Sequence, residues 1–313
     1  MSIEFAHVPV LLDECIEGLK IDPAGIYVDC TAGGGGHSSE IAKRLTTGKL
    51  ISLDQDQDAI DVCRERLSVF GERSILVKSN FSMLDQVLKD LGIDRVDGVL
   101  MDLGISSYQI DEGERGFSLR YDAELDMRMD RSMPLSAYHV VNEYPQERIK
   151  EILYAYGEEK FAPQIARRIV EQRAIAPIKT TFALADVVRQ AMPEKAIRKE
   201  AQHPAKRTFQ AIRIEVNHEL DVITPAIQAA EAHLNPGGRI AIITFHSLED
   251  RIVKNAFADL AKGCTCPPDF PVCVCGNKPR VHLVSRKPIL PGAEELKRNS
   301  RAASAKLRIC EKI

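Results

Sequence analysis

The chain has 313 residues, 44% of them hydrophobic and 28% charged, with a formal net charge of -3. That is apolar material for one large domain or two smaller ones, and it excludes a uniformly basic nucleic-acid coat, so any RNA contact falls to local patches. The N-terminus carries Glu4, Asp13 and Glu14 without a basic n-region, and apolar runs such as Ile240 to Phe245 fall far short of the ~20 residues that cross a bilayer. The expectation is a cytoplasmic protein with no signal peptide and no membrane partner.

Ile26 to Val28 reads as a first strand, followed by a glycine loop and a helix from Ser38 to Leu45. Leu50 to Leu53, Ile75 to Val77 and Val96 to Leu103 are further strands, separated by helices over Ala59 to Phe70 and Phe81 to Leu91. Alternation at this spacing predicts parallel strands with helices on both faces. From Ser107 to Pro204 the rhythm is helical, with patterns at 146–156, 161–173 and 181–192 punctuated by Pro177 and Pro193. One apolar stripe then runs from Phe209 to Leu234, and Pro225 should break it. Asn235-Pro236-Gly237-Gly238 signals a turn before a fifth strand, Arg239 to Phe245, and a helix from Leu248 to Leu260. Val281 to Val284 and Lys306 to Ile309 are the final candidate strands.

The predicted fold class is therefore α/β: a Rossmann-like sheet over residues 1–107 and 205–313, with an inserted all-helical, substrate-recognising subdomain over 108–204.

Asp29-Cys30-Thr31-Ala32-Gly33-Gly34-Gly35-Gly36-His37 lies between the first strand and its helix. Glycines there permit positive φ and close approach of a ligand to the backbone and to a helix N-terminus. A dinucleotide loop, G-x-G-x-x-G, would need a third glycine where Ser38 stands, whereas D-x-x-x-G-x-G is the spacing of S-adenosylmethionine-binding loops. Asp54, ending the second strand, can accept the ribose hydroxyls of an adenosine, and Phe81 can pack on adenine or simply fill the core.

Asp102-Leu103-Gly104-Ile105-Ser106-Ser107 leaves the fourth strand where open α/β sheets bind ligands. An amine conjugated with a base ring is a poor nucleophile, and Asp102, Ser106 and Ser107 are available to accept its N–H bonds as charge develops. His246 sits at the same edge and can orient a base; Ser247 with Asp250 reads as the cap of the following helix.

Residues 195–213 hold Lys195, Arg198, Lys199, Lys206, Arg207 and Arg213 against Glu200, and nine basic residues lie between 278 and 308. Such patches suit phosphates; Arg128, His203, Lys206 and Arg207 are the candidate RNA contacts. Cys264, Cys266, Cys273 and Cys275 supply four thiolates, enough for a tetrahedral structural zinc. The C-x-C spacing is tight for joint ligation, which leaves free thiols or disulfides as the alternative.

Taken in order, His7-x-x-Val10-Leu11-Leu12-Asp13-Glu14, Gly35-Gly36-His37-Ser38, Asp102 to Ser107, Arg115-Gly116-Phe117-Ser118, Leu125 to Asp130, Tyr156-Gly157-Glu158-Glu159, His203-Pro204-Ala205, Arg207 to Ala211 and Phe245 to Arg251 resemble the bacterial ribosomal RNA small subunit methyltransferase H family along nearly the whole chain. The resemblance implies a class I methyltransferase fold and S-adenosylmethionine as methyl donor. It further implies methylation of the exocyclic N4 of a decoding-centre cytosine in 16S rRNA, within the assembled small ribosomal subunit and not on DNA. It also implies that Gly35, Gly36, His37, Asp54, Phe81, Asp102 and Gln109 contact the donor; the loop spacing adds Gly33. Two other classes compete: an NAD-dependent oxidoreductase, which the missing third glycine disfavours, and a non-catalytic RNA-binding assembly factor, which would need no donor.

Overall fold

The computed structural model describes residues 9–199, 202–267, 270, 272 and 274–313. In chain order, α1 (Leu12–Leu19) precedes β1 (Ile26–Asp29), and alternation continues through α2 (Gly36–Arg44), β2 (Lys49–Asp54), α3 (Gln57–Leu67), β3 (Ser74–Lys78), α4 (Leu84–Asp90) and β4 (Val96–Asp102). A helical stretch follows: α5 (Ser107–Asp111), α6 (Ala137–Glu143), α7 (Gln146–Gly157), α8 (Ala162–Ile175), α9 (Thr181–Ala191), α10 (Glu194–Ile197) and α11 (Lys206–Asn217). The chain then adds α12 (Ile223–His233), β5 (Leu234–Thr244), α13 (Ser247–Leu260), β6 (Val281–Leu283), α14 (Ala293–Arg298) and β7 (Lys306–Lys312).

Two compact units result: Met1–Gly104 with Leu220–Ile313, and Ile105–Glu219. The first is built on a seven-stranded sheet in the order β3-β2-β1-β4-β5-β7-β6. Strands β1 to β5 are parallel, while β7 runs antiparallel to both β5 and β6. The order reverses at β1, which pairs with β2 on one side and β4 on the other. In such sheets the crevice outside the carboxyl ends of the two strands at the reversal is the ligand position.

The pleat sends alternate side chains to opposite faces, and both faces are covered, as parallel strands require. Val28, Ile51, Leu53, Val99, Met101, Ile240 and Ile242 pack with Leu84 and Leu88 of α4, Ile227 of α12 and Phe257 of α13. Tyr27, Leu50, Leu100, Ala241 and Ile243 pack on the other side with Cys15 and Leu19 of α1 and Ile41 of α2.

Two breaks differ from the sequence expectation. The long apolar stripe is divided before Pro225, at His218 in the left-handed region (φ 52), and Pro225 falls in the first turn of α12, where its missing N–H costs no helical bond. The Asn235–Gly238 segment does not precede the fifth strand but bulges within it: Leu234 pairs with Val96, and pairing resumes at Arg239 with Gly98. Gly237 takes φ 82 there. Arg239 pins the restart, donating to Glu311 Oε2 (2.8 Å) and to the Gly18 carbonyl (2.7 Å).

The second unit has its own core. Phe209, Ile212 and Val216 of α11 cluster with Ile149, Ile152 and Leu153 of α7, Ile165 and Ile169 of α8, and Leu184 and Val188 of α9. Helix α11 therefore belongs to this unit, and the boundary expected at residue 204 falls at Glu219 instead. Arg148 of α7 clamps Glu215 of α11 through Nη2, at 2.9 and 3.1 Å. Among the described residues no helix is long and apolar enough to cross a membrane.

Ile242 is fully buried in the middle of β5. Ile242→Ala should cost about 2–5 kcal/mol, seen as a lower urea midpoint for loss of sheet circular dichroism; an unchanged midpoint would contradict this core assignment.

Candidate active site

The loop leaving β1 is held at several points. Asp29 is wholly buried and accepts from the Thr31 N–H (3.1 Å) and the Ser38 hydroxyl (2.6 Å), which closes the loop onto the start of α2. Ser38 also lies 2.9 Å from the Ser52 hydroxyl on β2. A side chain thus occupies the place where a dinucleotide fold needs glycine. Gly33 (φ 50) and Gly35 (φ 76) take the left-handed backbone that makes the turn. From α3, the Arg66 guanidinium donates to the Gly34 carbonyl and the Cys63 thiol to the Gly33 carbonyl. A Cβ on Gly36 would lie 2.3 Å from Pro9 Cγ, so chain packs directly against that residue.

Asp54 completes the turn from β2. One carboxylate oxygen accepts the Gly33 N–H at 2.8 Å and the other the Asp56 N–H at 2.9 Å. Each oxygen retains acceptor capacity, and the side chain is half-buried. Burial pushes its pKa up to about 6 against the pull of those two backbone donors, and the nearby Asp56 and Asp29 carboxylates push the same way.

Asp102 ends β4. Its backbone N–H donates to Thr31 Oγ1 at 2.6 Å, tying the β4 end to the β1 loop. Its Oδ1 is buried without a hydrogen-bond partner, and its Oδ2 lies 3.8 Å from His37 Nδ1. Burial, reinforced by Asp29 and Glu249, raises its pKa well above the usual carboxylate range. His37 is buried and donates from Nε2 to the Val10 carbonyl at 3.0 Å. A carbonyl only accepts, so Nε2 carries the hydrogen, and Nδ1 is the bare nitrogen of the neutral ring. Burial lowers the His37 pKa and favours that neutral form.

Other predicted residues are placed less simply. Phe81 opens a 3₁₀ turn capped by Asn80 and packs partly buried against the β-sheet cluster that includes α4 and α12. His246, not Ser247, is the N-cap of α13: its Nδ1 accepts from the Glu249 N–H, while Glu249 Oε2 accepts from the N–H groups of Phe245 and His246 at 2.8 and 3.2 Å. The helix starts one residue earlier than predicted, so Asp250 is free of capping and instead accepts from Arg308 Nε (2.7 Å) and Lys306 Nζ (3.2 Å). These pairs, with Arg280 on Glu231 at 2.8 Å and Lys297 on Glu294 at 2.7 Å, commit much of the predicted basic run between 278 and 308 to carboxylates. Lys278, Arg286 and Lys287 are exposed there.

In the second unit, Ser106 caps α5, accepting the Gln109 N–H at 3.2 Å, and buried Gln109 returns Oε1 to the Ser106 N–H at 3.0 Å. Ser107 is the first residue of that helix. Arg128, expected to touch RNA, lies along its own loop with its side chain 26% exposed: it clasps Asp126 through Nε (2.6 Å) and Nη2 (3.1 Å) and donates Nη1 to the carbonyls of Arg131 and Met133. His203 and Lys206 are exposed at the start of α11, and Arg207 is half-buried beside them. Arg213 leaves the basic surface by pairing with Glu219 at 2.8 and 2.9 Å. Of the cysteine quartet, Cys264, Cys266 and Cys275 come together; Cys273 lies outside the described residues.

Sequence reasoning missed Thr31, Ser38 and Glu249. All are small or charged residues flanking the glycine loop or the α13 start, and only the fold shows what they hold.

A positive-φ glycine turn at the sheet reversal, an adenosine-type acid ending β2 and a carboxylate ending β4 define a Rossmann-like, S-adenosylmethionine-dependent methyltransferase. The residues fit that donor: each Asp54 oxygen keeps acceptor capacity beyond its one backbone donor, and Asp102 Oδ1 is a buried acceptor without a hydrogen-bond partner. The chain belongs to the MraW methylase family, which it matches over residues 4–313. It is similar to proteins named Ribosomal RNA small subunit methyltransferase H: 57% identical to that of Brevibacillus brevis over 100% of this chain and 99% of that one. For Finegoldia magna the identity is 55%, over 99% of this chain and 100% of that one, and for a Clostridium botulinum relative it is 56% over the same shares. Among solved structures, an rRNA methylase from Streptococcus thermophilus aligns over 96% of this chain and 93% of its own at 14% identity and a TM-score of 0.42, a distant likeness that carries no functional weight.

Gly36→Ala forces Cβ into Pro9, and overpacking of this kind costs about 1–3 kcal/mol. Calorimetry should therefore read a lowered thermal unfolding midpoint for the variant; an unchanged midpoint would show that the loop is not packed on Pro9 as described. Asp54 gives a pH signature. Its native value near 6 exceeds the ordinary 3.8, so its contribution to the stability of the ligand-free fold is complete below 3.8 and is lost as pH rises through about 6. Donor affinity runs the other way, because ribose hydroxyls need the carboxylate: it should fall as pH drops through about 6. Titrations across that range should show a shallower fall in Asp54→Asn than in the wild type, the remainder coming from Asp102.

Proposed function

We propose that this protein methylates the exocyclic N4 of a decoding-centre cytosine in 16S rRNA, acting on the small ribosomal subunit in the cytoplasm. The observation that carries this reading is identity of 55–57% along essentially the whole chain to proteins named for small-subunit rRNA methylation. The site geometry supplies the chemistry.

S-adenosylmethionine, when bound, supplies a methyl carbon activated by the sulfonium. Gly33, Gly35 and Gly36 give it backbone to lie against, Asp54 takes the ribose hydroxyls, and Phe81 borders the adenine. His37 positions rather than reacts: its Nε2–H is spent on Val10, and its neutral ring keeps Nδ1 turned toward Asp102. Gln109 is assigned to the donor by the family resemblance, beyond its capping bond to Ser106.

Asp102 is the proposed catalytic residue. The N4 lone pair is delocalised into the ring, so attack on the methyl carbon draws positive charge onto nitrogen and makes its N–H bonds stronger donors. A buried acceptor already aimed and unpartnered stabilises that charge without reorganisation. Its raised pKa also suits it to accept the proton that the amine sheds once the N–C bond has formed. Ser106 is a further acceptor in this reading, and His246 a base-orienting group in addition to its cap; the side chain of Ser107 lies outside the described residues. The cytosine must be unstacked to be reached. His203, Lys206 and Arg207, with exposed Lys195, Arg198 and Lys199, provide phosphate contacts.

Incubation of labelled donor with small subunits from a strain lacking the enzyme, followed by nuclease digestion and mass spectrometry, should locate one N4-methylcytosine in 16S rRNA. Label on another base, or none, would overturn the proposal. Asp102→Ala should lower single-turnover transfer roughly 100- to 1000-fold. The wild-type rate should fall as pH is lowered, beginning well above the ordinary carboxylate range, because a protonated Asp102 no longer accepts. A pH-independent rate or near-normal turnover of the variant would remove Asp102 from the mechanism.

A further inference from the structure

The segment 261–280 between α13 and β6 contains no helix or strand among its described residues, a length at which irregular loops are uncommon without a reason. Its apolar side chains do not anchor it: Phe270, Val272 and Val274 are 49%, 70% and 73% exposed. What converges instead is sulfur. The Sγ atoms of Cys264, Cys266 and Cys275 all lie within 4.8 Å of one another, and those of Cys264 and Cys275 are 3.7 Å apart. A disulfide would bring two sulfurs to about 2.0 Å and leave the third aside. Zinc–sulfur bonds of about 2.3 Å in a tetrahedron place sulfurs about 3.8 Å apart.

The backbone around the thiols points the same way. The N–H groups of Thr265 and Asn277 donate to Cys275 Sγ at 3.3 and 3.4 Å, and those of Val274 and Cys275 donate to Cys266 Sγ, both at 3.3 Å. Two backbone donors on each of these sulfurs fix the direction of its lone pairs, as the outer shell of a metal site does. Asn277 Nδ2 ties the loop's two ends by donating to the carbonyls of Lys262 and Gly263, at 3.0 and 2.7 Å. The C-x-C spacing is no obstacle, since Cys264 and Cys266 both reach the cluster.

We propose that Cys264, Cys266 and Cys275 ligate one zinc ion that holds this loop in place. Each ligating thiol loses its proton to solvent as the sulfur–zinc bond forms, with no change of oxidation state. Soft thiolates select zinc over magnesium or calcium, and the role is structural, apart from the methyl-transfer site.

The full chain, purified without chelator from zinc-supplemented cells, should carry about one zinc by plasma mass spectrometry. Exchange for cobalt should give thiolate-to-cobalt charge transfer and the intense visible bands of tetrahedral cobalt. Chelation should speed protease cleavage within 261–280 about tenfold and expose thiols that the metal had protected from reaction. The Cys264→Ser/Cys275→Ser double variant should bind neither metal. The cobalt spectrum and thiol protection are read on the wild type, so misfolding of the variant leaves the test intact. Metal-free protein in which Cys264, Cys266 and Cys275 are freely reactive, or in which peptide mapping finds a disulfide within the loop, would overturn the proposal. Neither result bears on methyl transfer, so the two readings fail separately.

Discussion

The hydrogen bond from the Gly33 N–H to the Asp54 carboxylate is the contact on which the rest of this molecule's chemistry depends. It joins the loop after β1 to the end of β2, fixes the left-handed turn of Gly33, and aims the carboxylate in the same stroke. Asp29 closes the loop from below and Arg66 and Cys63 hold it from α3. Thr31 then carries the constraint to β4 by accepting the Asp102 N–H. Three strand ends are thus locked together by short polar bonds, so a ligand meets a preformed surface and need not order it on binding.

The same arrangement concentrates acid. Asp29, Asp54 and Asp102 end three parallel strands, and burial drives the pKa of each upward. Without a ligand, that clustering works against the fold at neutral pH. The strain is intelligible if the site is complementary to positive charge, which a sulfonium with an ammonium group supplies. Sites that break local rules of stability are where function is usually found, and here the violation and the sheet reversal coincide.

Much of the first unit was legible because its signals are local. Strands β1 to β5 show as short apolar runs, and Asp54 and the glycine turn sit at fixed places relative to them. Helix α1 was missed because it starts without a capping side chain, from Leu11 in a left-handed conformation (φ 52). The antiparallel course of β7 is set by its partners β5 and β6, not by its own residues. The stripe of α11 was readable, but not which core it joins: Phe209 and Ile212 would serve equally well in either. Long-range polar choices were the least accessible. Arg128 turning onto Asp126, and His246 capping α13 with Glu249, are decided by neighbours that only the folded chain brings near.

The most direct test of the central claim is a crystal structure with S-adenosylhomocysteine, which leaves the loop and both acids free to engage. The account predicts both ribose hydroxyls on Asp54, the ligand's backbone-facing edge against Gly33 to Gly36, and a donor of the amino-acid portion or a bridging water on the Asp102 oxygen that is orphaned here. A ligand bound away from the β1 turn, or seated there with Asp54 turned aside, would contradict it.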